Sequence, residues 1–412
     1  MNSARSGGSL RNLRLSNSLH VLDLVVSQGP MHRAEMARRL GISRTTITTI
    51  TRELMERGVL VELSERVEGG DEVDGRAGDQ LAFSPDAGWI AGMSQVLDRI
   101  CVRITDLMGN EVASAEAAIG AKDDWQLRAE AAVYLLDRAL KEGGGDRDDL
   151  LGVGIGLPGQ INPVDGIVHG ALADQPWHGI NARQEMNRRL GVPVFIDNNV
   201  RLEAIAEAKW GAGQGIRDLM YVSMSSGIAA GFLFGGELYR GSGGGAGELG
   251  HTSIDVNGPA CRCGNHGCLV LFAGTPAILN RLAATLGPDA TMDDVLAANA
   301  AGDRSVQNVL SEAGSVVGRL LASMCNLLNP QRIVVGGQTS LAGAVVLDPL
   351  RESINRYALT PSAALEVVVS DLGGGPEAGA AGGAAMALSM LTTSPEMFSR
   401  LVDRPAAGSL GV

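Results

Sequence analysis

The chain has 412 residues, 45% of them hydrophobic and 19% charged, with a formal net charge of −12. That size and balance suit a folded protein of two or three domains, and the acidic total excludes a protein that coats nucleic acid over its whole surface. It contains no run of eighteen uncharged apolar residues, and its first twenty residues lack the pattern of a secretory signal, so neither a membrane span nor export is expected.

The charge is unevenly spread. Residues 1–62 carry nine arginines against five acids, whereas the remainder carries 25 basic residues against 41 acids. A small basic head on an acidic body is the balance of a DNA-reading module joined to another domain. Leu22, Leu24 and Val25 begin a helical apolar pattern that stops at Gly29-Pro30. A short amphipathic helix over Ala34, Met36, Ala37 and Leu40 follows, closed by a turn at Gly41. Ser43 then suits the N-cap of a second helix, in which Ile47, Ile50 and Leu54 form the buried stripe. That leaves Arg44, Thr45, Thr46, Thr48, Thr49 and Arg52 outside, a surface of short hydroxyls and guanidinium groups fit for phosphates and base edges. The helix–turn–helix spacing is completed by a wing, with strands near Val59-Leu60 and Leu81-Phe83. Arg76 in the loop between them is placed to reach a groove or phosphate. Double-stranded DNA is therefore the expected partner, contacted by Ser43, the exposed α-helical residues and Arg76.

From about residue 88 the texture becomes strands, helices and glycine-rich turns. WIAGMSQVLDRICVRITDLMGNEVASA reads as strand, turn at Met108-Gly109-Asn110, and strand. LLGVGIGLPGQI is a buried strand entering a Gly-Pro loop, and VPVFIDNN is a strand leading into a helix. LMYVSMSSGIAAGFLFGGELYRG reads as two strands around a Ser/Gly turn, and RIVVGGQTSLAG as strand, Gly-Gly loop and helix. Alternating strands and helices imply an α/β body whose ligands sit at the strand ends. EAGAAGGAAMALSML suits a small-residue helix packed closely on the body, and the chain after Thr392 reads as less regular.

Three of the five cysteines cluster with a histidine in GELGHTSIDVNGPACRCGNHGCLVL, which favours a metal in a reducing cytoplasm over disulfides. His251, Cys261, Cys263 and Cys268 supply the N/S set preferred by structural zinc, with His266 as a rival imidazole. Four protein ligands leave no position for water or substrate, so the metal would hold shape.

Taken together, GELGH…C-R-C-G-N-H-G-C-L, the Gly-Pro loop, Leu238-Tyr239-Arg240-Gly241 and Val334-Val335-Gly336-Gly337 resemble the ROK family of sugar kinases and repressors. The resemblance covers essentially the whole chain. It implies a two-lobed, actin-like ATPase (sugar kinase-like) α/β body with an N-terminal winged helix-turn-helix. It divides the chain into a basic arm (1–20), the winged head (21–84), lobe 1 (85–202, completed by a helix at about 380–395) and lobe 2 (203–379) with the zinc site. The family pattern favours His251 as the imidazole ligand. It also makes Glu248 and His251 sugar contacts and puts Asn198-Asn199 on the Asn-Asp pair that carries the family's general base.

Several kinase features are missing against that pattern. Gly92-Met93-Ser94-Gln95-Val96-Leu97-Asp98 lacks the glycine pair that approaches ATP phosphates, and Ser225-Ser226-Gly227-Ile228-Ala229-Ala230-Gly231 keeps only part of the second phosphate turn. Asn199 replaces the catalytic aspartate, a loss worth on the order of 10²–10⁴ in rate, with Asp197 nearby as a substitute. Val270 stands where a sugar-binding glutamate belongs. Phosphoryl transfer with ATP and Mg²⁺ is not expected. The reading is a cytoplasmic regulator, a homodimer or homotetramer on a palindromic operator, whose body either senses a sugar, a sugar phosphate or an unrelated small effector through Asn198, Asn199, Glu248 and His251 or acts without an effector; an ATP-dependent sugar kinase with an accessory DNA-binding head is the alternative.

Overall fold

The computed structural model describes residues 4–63, 79–162, 164–170, 175–359 and 365–404. The head comprises α1 (Ala4–Gln28), β1 (Met31–His32), α2 (Arg33–Leu40), α3 (Arg44–Glu56), β2 (Leu60–Leu63) and β3 (Gln80–Phe83). Helix α2 ends because Gly41 takes a left-handed conformation (φ 65°) and returns its N–H to the Ala37 carbonyl. Ser43 starts α3 by accepting the Thr46 N–H. Strand β3 lies between β1 and β2 and is antiparallel to both, closing the helices into a winged head. Two features differ from the sequence expectation. Helix α1 begins at Ala4, so most of the segment set apart as an arm is continuous with it. The pairing of Met31 and His32 with β3 was also invisible in a two-residue strand. Arg76 and the wing tip lie outside the described residues.

Lobe 1 is built on a mixed sheet of β4 (Trp89–Gln95), β5 (Arg99–Asp106), β6 (Glu111–Ala118) and β7 (Leu150–Leu157), extended by β10 (Val194–Asn198) beyond a small β8 (Gln160–Ile161) and β9 (Val168–His169) ribbon. Its order is β10-β7-β4-β5-β6, with β10, β7 and β4 parallel. The stretch read as two strands is thus three, because the chain also turns between Gln95 and Arg99. Helices α4 (Trp125–Glu142) and α5 (Ala182–Leu190) pack against this lobe's core through Leu135, Leu136, Ala182 and Met186.

Helix α6 (Asn199–Trp210) leads into a second sheet, of order β13-β12-β11-β14-β15: β11 (Leu219–Met224), β12 (Ile228–Phe234), β13 (Glu237–Tyr239), β14 (Arg332–Gly336) and β15 (Glu366–Val369). Helices α7 (Val270–Ala273), α8 (Thr275–Leu286), α9 (Met292–Ala300), α10 (Arg304–Leu328) and α11 (Ala344–Tyr357) complete lobe 2.

The chain then returns to lobe 1 as α12 (Pro376–Ser389), buried along almost its whole length. Its small residues let backbones nearly touch: a Cβ on Gly92 of β4 would lie 1.8 Å from the Ala380 carbonyl oxygen. The chain beyond Thr392, expected to be irregular, forms α13 (Pro395–Val402), which buries Met397 and Leu401.

One core cluster joins head and body. Val21, Leu22 and Val25 of α1 share it with Leu151 of β7, Ala387 and Leu388 of α12, and Leu401 of α13. Full burial of such side chains contributes about 1.5–3 kcal/mol each. Polar ties reinforce the seam: Thr392 Oγ1 donates to Asp23 Oδ1 (3.1 Å), and Arg57 Nη1 donates to the Val402 carbonyl (3.0 Å).

Candidate DNA interface, metal centre and effector cleft

Helix α3 presents the residues picked out by periodicity. Ile47, Ile50 and Leu54 are buried, as is Thr51, whose hydroxyl donates to the Ile47 carbonyl and accepts from Arg33 Nε (3.1 Å). Ser43, Arg44, Thr45, Thr48 and Arg52 are exposed, with Thr46 and Thr49 half-buried. The threonine hydroxyls are satisfied locally: Thr48 Oγ1 donates to the Arg44 carbonyl (2.9 Å) and Thr49 Oγ1 to the Thr45 carbonyl (3.0 Å). Among the described residues, Arg52 makes only a long, exposed contact with Glu56 (3.8 Å). Among the described residues, the Arg44 guanidinium carries no intramolecular partner, so it enters any complex unencumbered.

The metal-ligand candidates converge. One donor atom each from His251, Cys261, Cys263 and Cys268 falls within 4.8 Å of every other. His251 Nδ1 lies 3.7 Å from Cys261 Sγ, and Cys263 Sγ lies 3.7 Å from Cys268 Sγ. Tetrahedral zinc, with bonds of about 2.0–2.3 Å, sets its donors roughly 3.5–3.8 Å apart, so this set fits a closed site. His266 is exposed and lies outside the group, so the set within reach of one cation contains His251. The loop is shaped by its own backbone: Ser253 bridges Cys268, Ala260 bridges His266, and the Cys261 N–H donates to the Asn265 carbonyl (2.7 Å). Without a cation, burial and the neighbouring thiols push Cys268 up to about 12. A bound cation relieves that conflict.

The lobe boundary holds a buried charge network that the sequence reading missed. Asp197, at the end of β10, is 1% exposed. Its Oδ1 accepts from Arg201 Nη1 (2.9 Å) and from the Asn198 N–H (2.8 Å), and its Oδ2 from Arg240 Nε (2.6 Å). Arg201, also 1% exposed, donates on to the carbonyls of Gly244 and Ala246. Asp197 is therefore occupied as an ion-pair partner. The i, i+4 spacing of Asp197 and Arg201 was the only local signal of it.

Asn198 is occupied too: its Oδ1 accepts the Val200 N–H (2.9 Å) at the start of α6, and its Nδ2 donates to the Gly159 carbonyl (2.9 Å). Asn199 is half-buried, and its amide has no partner among the described residues. Glu248 is half-buried; burial raises its pKa, against the pull of His251 and Arg201. Where a phosphate turn would lie, the carbonyls of Val96 and Leu97 accept from the buried Arg128 (2.9 and 2.6 Å), and Ser225 Oγ accepts the Gln338 N–H (3.2 Å).

A second buried device lies where α6 meets the Gly373–Gly375 connection into α12. Glu203 Oε2 accepts from Tyr221 OH (2.7 Å), and burial raises its carboxyl to about 7. Glu207 accepts the Leu372 N–H (3.2 Å), the Ala212 N–H (2.8 Å) and the Ser370 hydroxyl.

A two-lobed α/β body with a winged head and a closed Cys/His loop defines a class, and comparison with known proteins agrees with it. Residues 129–390 match the ROK family model, and residues 15–61 match a winged helix-turn-helix DNA-binding model. The chain belongs to the ROK family. It is 28% identical over 355 residues to the xylose repressor of Bacillus subtilis, covering 84% of this chain and 90% of the relative. Its fold matches that of a ROK family transcriptional regulator, a homologue of Escherichia coli Mlc, with a TM-score of 0.79 over 95% of this chain and all of that one (23% identity). It also resembles a ROK glucokinase from Streptomyces griseus solved with glucose and AMPPNP, with a TM-score of 0.64 and 26% identity over 73% of this chain and 99% of that one. Among the described residues, no helix is long and apolar enough to cross a membrane.

Proposed function

We propose that this chain is a transcriptional regulator of carbohydrate-related genes, with an ROK body that senses an effector instead of phosphorylating it. The observation carrying this reading is the free, exposed Arg44 on a capped α3, in a head whose core is shared with lobe 1. Ser43, Arg44, Thr45, Thr46, Thr48, Thr49, Arg52 and Arg76 contact a palindromic operator. A homodimer or homotetramer in the cytoplasm sets two recognition helices about one helical turn apart.

Zinc is the metal that the His251, Cys261, Cys263 and Cys268 set would hold. It would brace the segment bearing Glu248 without entering chemistry. The effector is a sugar or sugar derivative, met by Asn199, Glu248 and His251, while Asn198 shapes the loop beneath it. Phosphoryl transfer is disfavoured because Asn199 cannot hold a proton and Asp197 is bound by two arginines. Effector binding shifts one lobe relative to the other, and α12, packed on β4, α6 and α1, carries that shift to the head.

The test is selection of bound fragments from genomic DNA, followed by gel shifts with the full chain and with Arg44→Ala and Thr45→Ala. Specific retardation lost in the variants supports the reading; unchanged binding by both sinks the α3 assignment. Sugar-dependent ATP turnover in a coupled assay would instead make the chain a kinase.

A further inference from the structure

Resting on the effector reading above, we infer that the cleft selects an anionic carbohydrate, bearing a carboxylate or a phosphate, through the open edge of Arg240. Arg240 follows β13 and opens the glycine-rich segment that crosses from lobe 2 to lobe 1. There Gly244 sits so close to β8 that a Cβ would lie 1.8 Å from the Ile161 carbonyl oxygen. The guanidinium thus stands at the carboxyl ends of the parallel strands of lobe 1, where α/β sheets bind ligands.

Arg240 is held by one bond only, from Nε to Asp197 Oδ2 (2.6 Å), which fixes its plane. Both Nη groups are without partners among the described residues, and the side chain is 34% exposed. An arginine fixed through Nε with its end-on fork open is pre-organised for a carboxylate or phosphate, whose two oxygens match that fork.

The neighbouring charges leave the fork available. Asp197 divides its two oxygens between Arg201 and Arg240, so it neutralises neither fully. Glu248 interacts with Arg201 and makes no hydrogen bond to Arg240 among the described residues. Arg240 also joins the lobes, since its anchor Asp197 belongs to lobe 1. A ligand gripping the fork would therefore tighten that junction.

The test is calorimetric titration of the full chain with four probes: glucose, glucuronate, glucose 6-phosphate and inorganic phosphate. Glucuronate or glucose 6-phosphate should bind roughly 10- to 100-fold more tightly than glucose, the range for a hydrogen-bonded charge, and the tighter one identifies the anion. Arg240→Gln should erase that advantage, and Arg240→Lys should keep the charge while losing most of it. If Arg240→Gln does not fold, added salt provides the check: the anionic probe should weaken as salt rises while glucose does not.

Glucose binding as tightly as the charged sugars, or anion affinity unchanged in both Arg240 variants, overturns this inference and leaves the effector reading standing. Inorganic phosphate binding as tightly as glucose 6-phosphate also overturns it, because the site would then hold an anion without recognising a sugar. Failure of all four probes to bind removes both readings.

Discussion

The recognition helix and the lobe boundary use polar side chains in opposite ways. On α3 the hydroxyls of Thr48 and Thr49 are satisfied one turn back on the same helix, and Arg44 is exposed and unpaired among the described residues. At the boundary Asp197 and Arg201 are buried and paired with each other, and apart from the adjacent Asn198 N–H their partners lie more than forty residues away, at Arg240, Gly244 and Ala246. Exposed groups that satisfy themselves locally can be exchanged with little effect on folding and a large effect on a partner. Buried groups satisfied at long range carry the fold itself. The metal loop stands between the two: its ligands lie close in sequence, but His251 and the cysteines close over one another only when the intervening chain is folded.

The largest effect is expected at the metal. Protein purified without chelator should contain about one zinc per chain by elemental analysis, and Cys268→Ser or Cys261→Ser should lose it. Because structural zinc supplies on the order of 10 kcal/mol in small sites, either variant should show a large fall in Tm, reproduced in the parent by strong chelation. Full zinc content in Cys268→Ser would remove Cys268 from the ligand set.

Next in size is Asp197→Ala, which strands two arginines, one of them fully buried. Breaking a buried pair costs about 3–5 kcal/mol, so chemical denaturation should show a loss in that range. A loss under about 1 kcal/mol, the size of a surface pair, would place Asp197 with the exposed residues and break the comparison.

Arg44→Ala tests the other side. It should leave Tm unchanged and weaken operator binding by about 1–3 kcal/mol if Arg44 meets a base edge, with relaxed preference at one position. Uniform weakening across sequences, with a shallower salt dependence, would assign it to a phosphate instead. A fall in Tm comparable to that of Asp197→Ala would refute the distinction drawn between the two regions.

The same distinction explains what the sequence made legible. The head was readable because capping at Ser43, the turn at Gly41 and the stripe Ile47-Ile50-Leu54 are decided within a few residues. The Cys/His loop was readable because its ligands are rare residue types packed close in sequence. The pairing of β1 with β3 and the helix α13 were not, since each is stabilised by partners distant in the chain. The amide of Asn198 is visible in the sequence, but its bond to the Gly159 carbonyl, 39 residues away, is not. Arg240 is visible in the sequence only as part of a motif, because nothing nearby reveals that Asp197 anchors its Nε.

The effect confined to a pH window lies at Glu203, fully enclosed beside Tyr221 and the glycine connection into α12. Burial raises its carboxyl to about 7 from an ordinary value of 4.5, despite the hydrogen bonds from Tyr221, Gly375 and Ser223 that act the other way. The folded state thus binds this proton more tightly than the unfolded chain does. Its favourable contribution is complete below pH 4.5 and is lost as pH rises through about 7, beyond which the penalty is constant. Glu203→Gln keeps an oxygen to accept from Tyr221 and cannot ionise, so this part of the pH dependence should vanish. Tm profiles of the two proteins should converge near the acidic end and separate by a few degrees between pH 4.5 and 7, with Glu203→Gln the more stable at neutral pH. Parallel profiles would mean that the carboxylate is charged within the fold, and that the hydrogen bonds to Glu203 outweigh the cost of burying it.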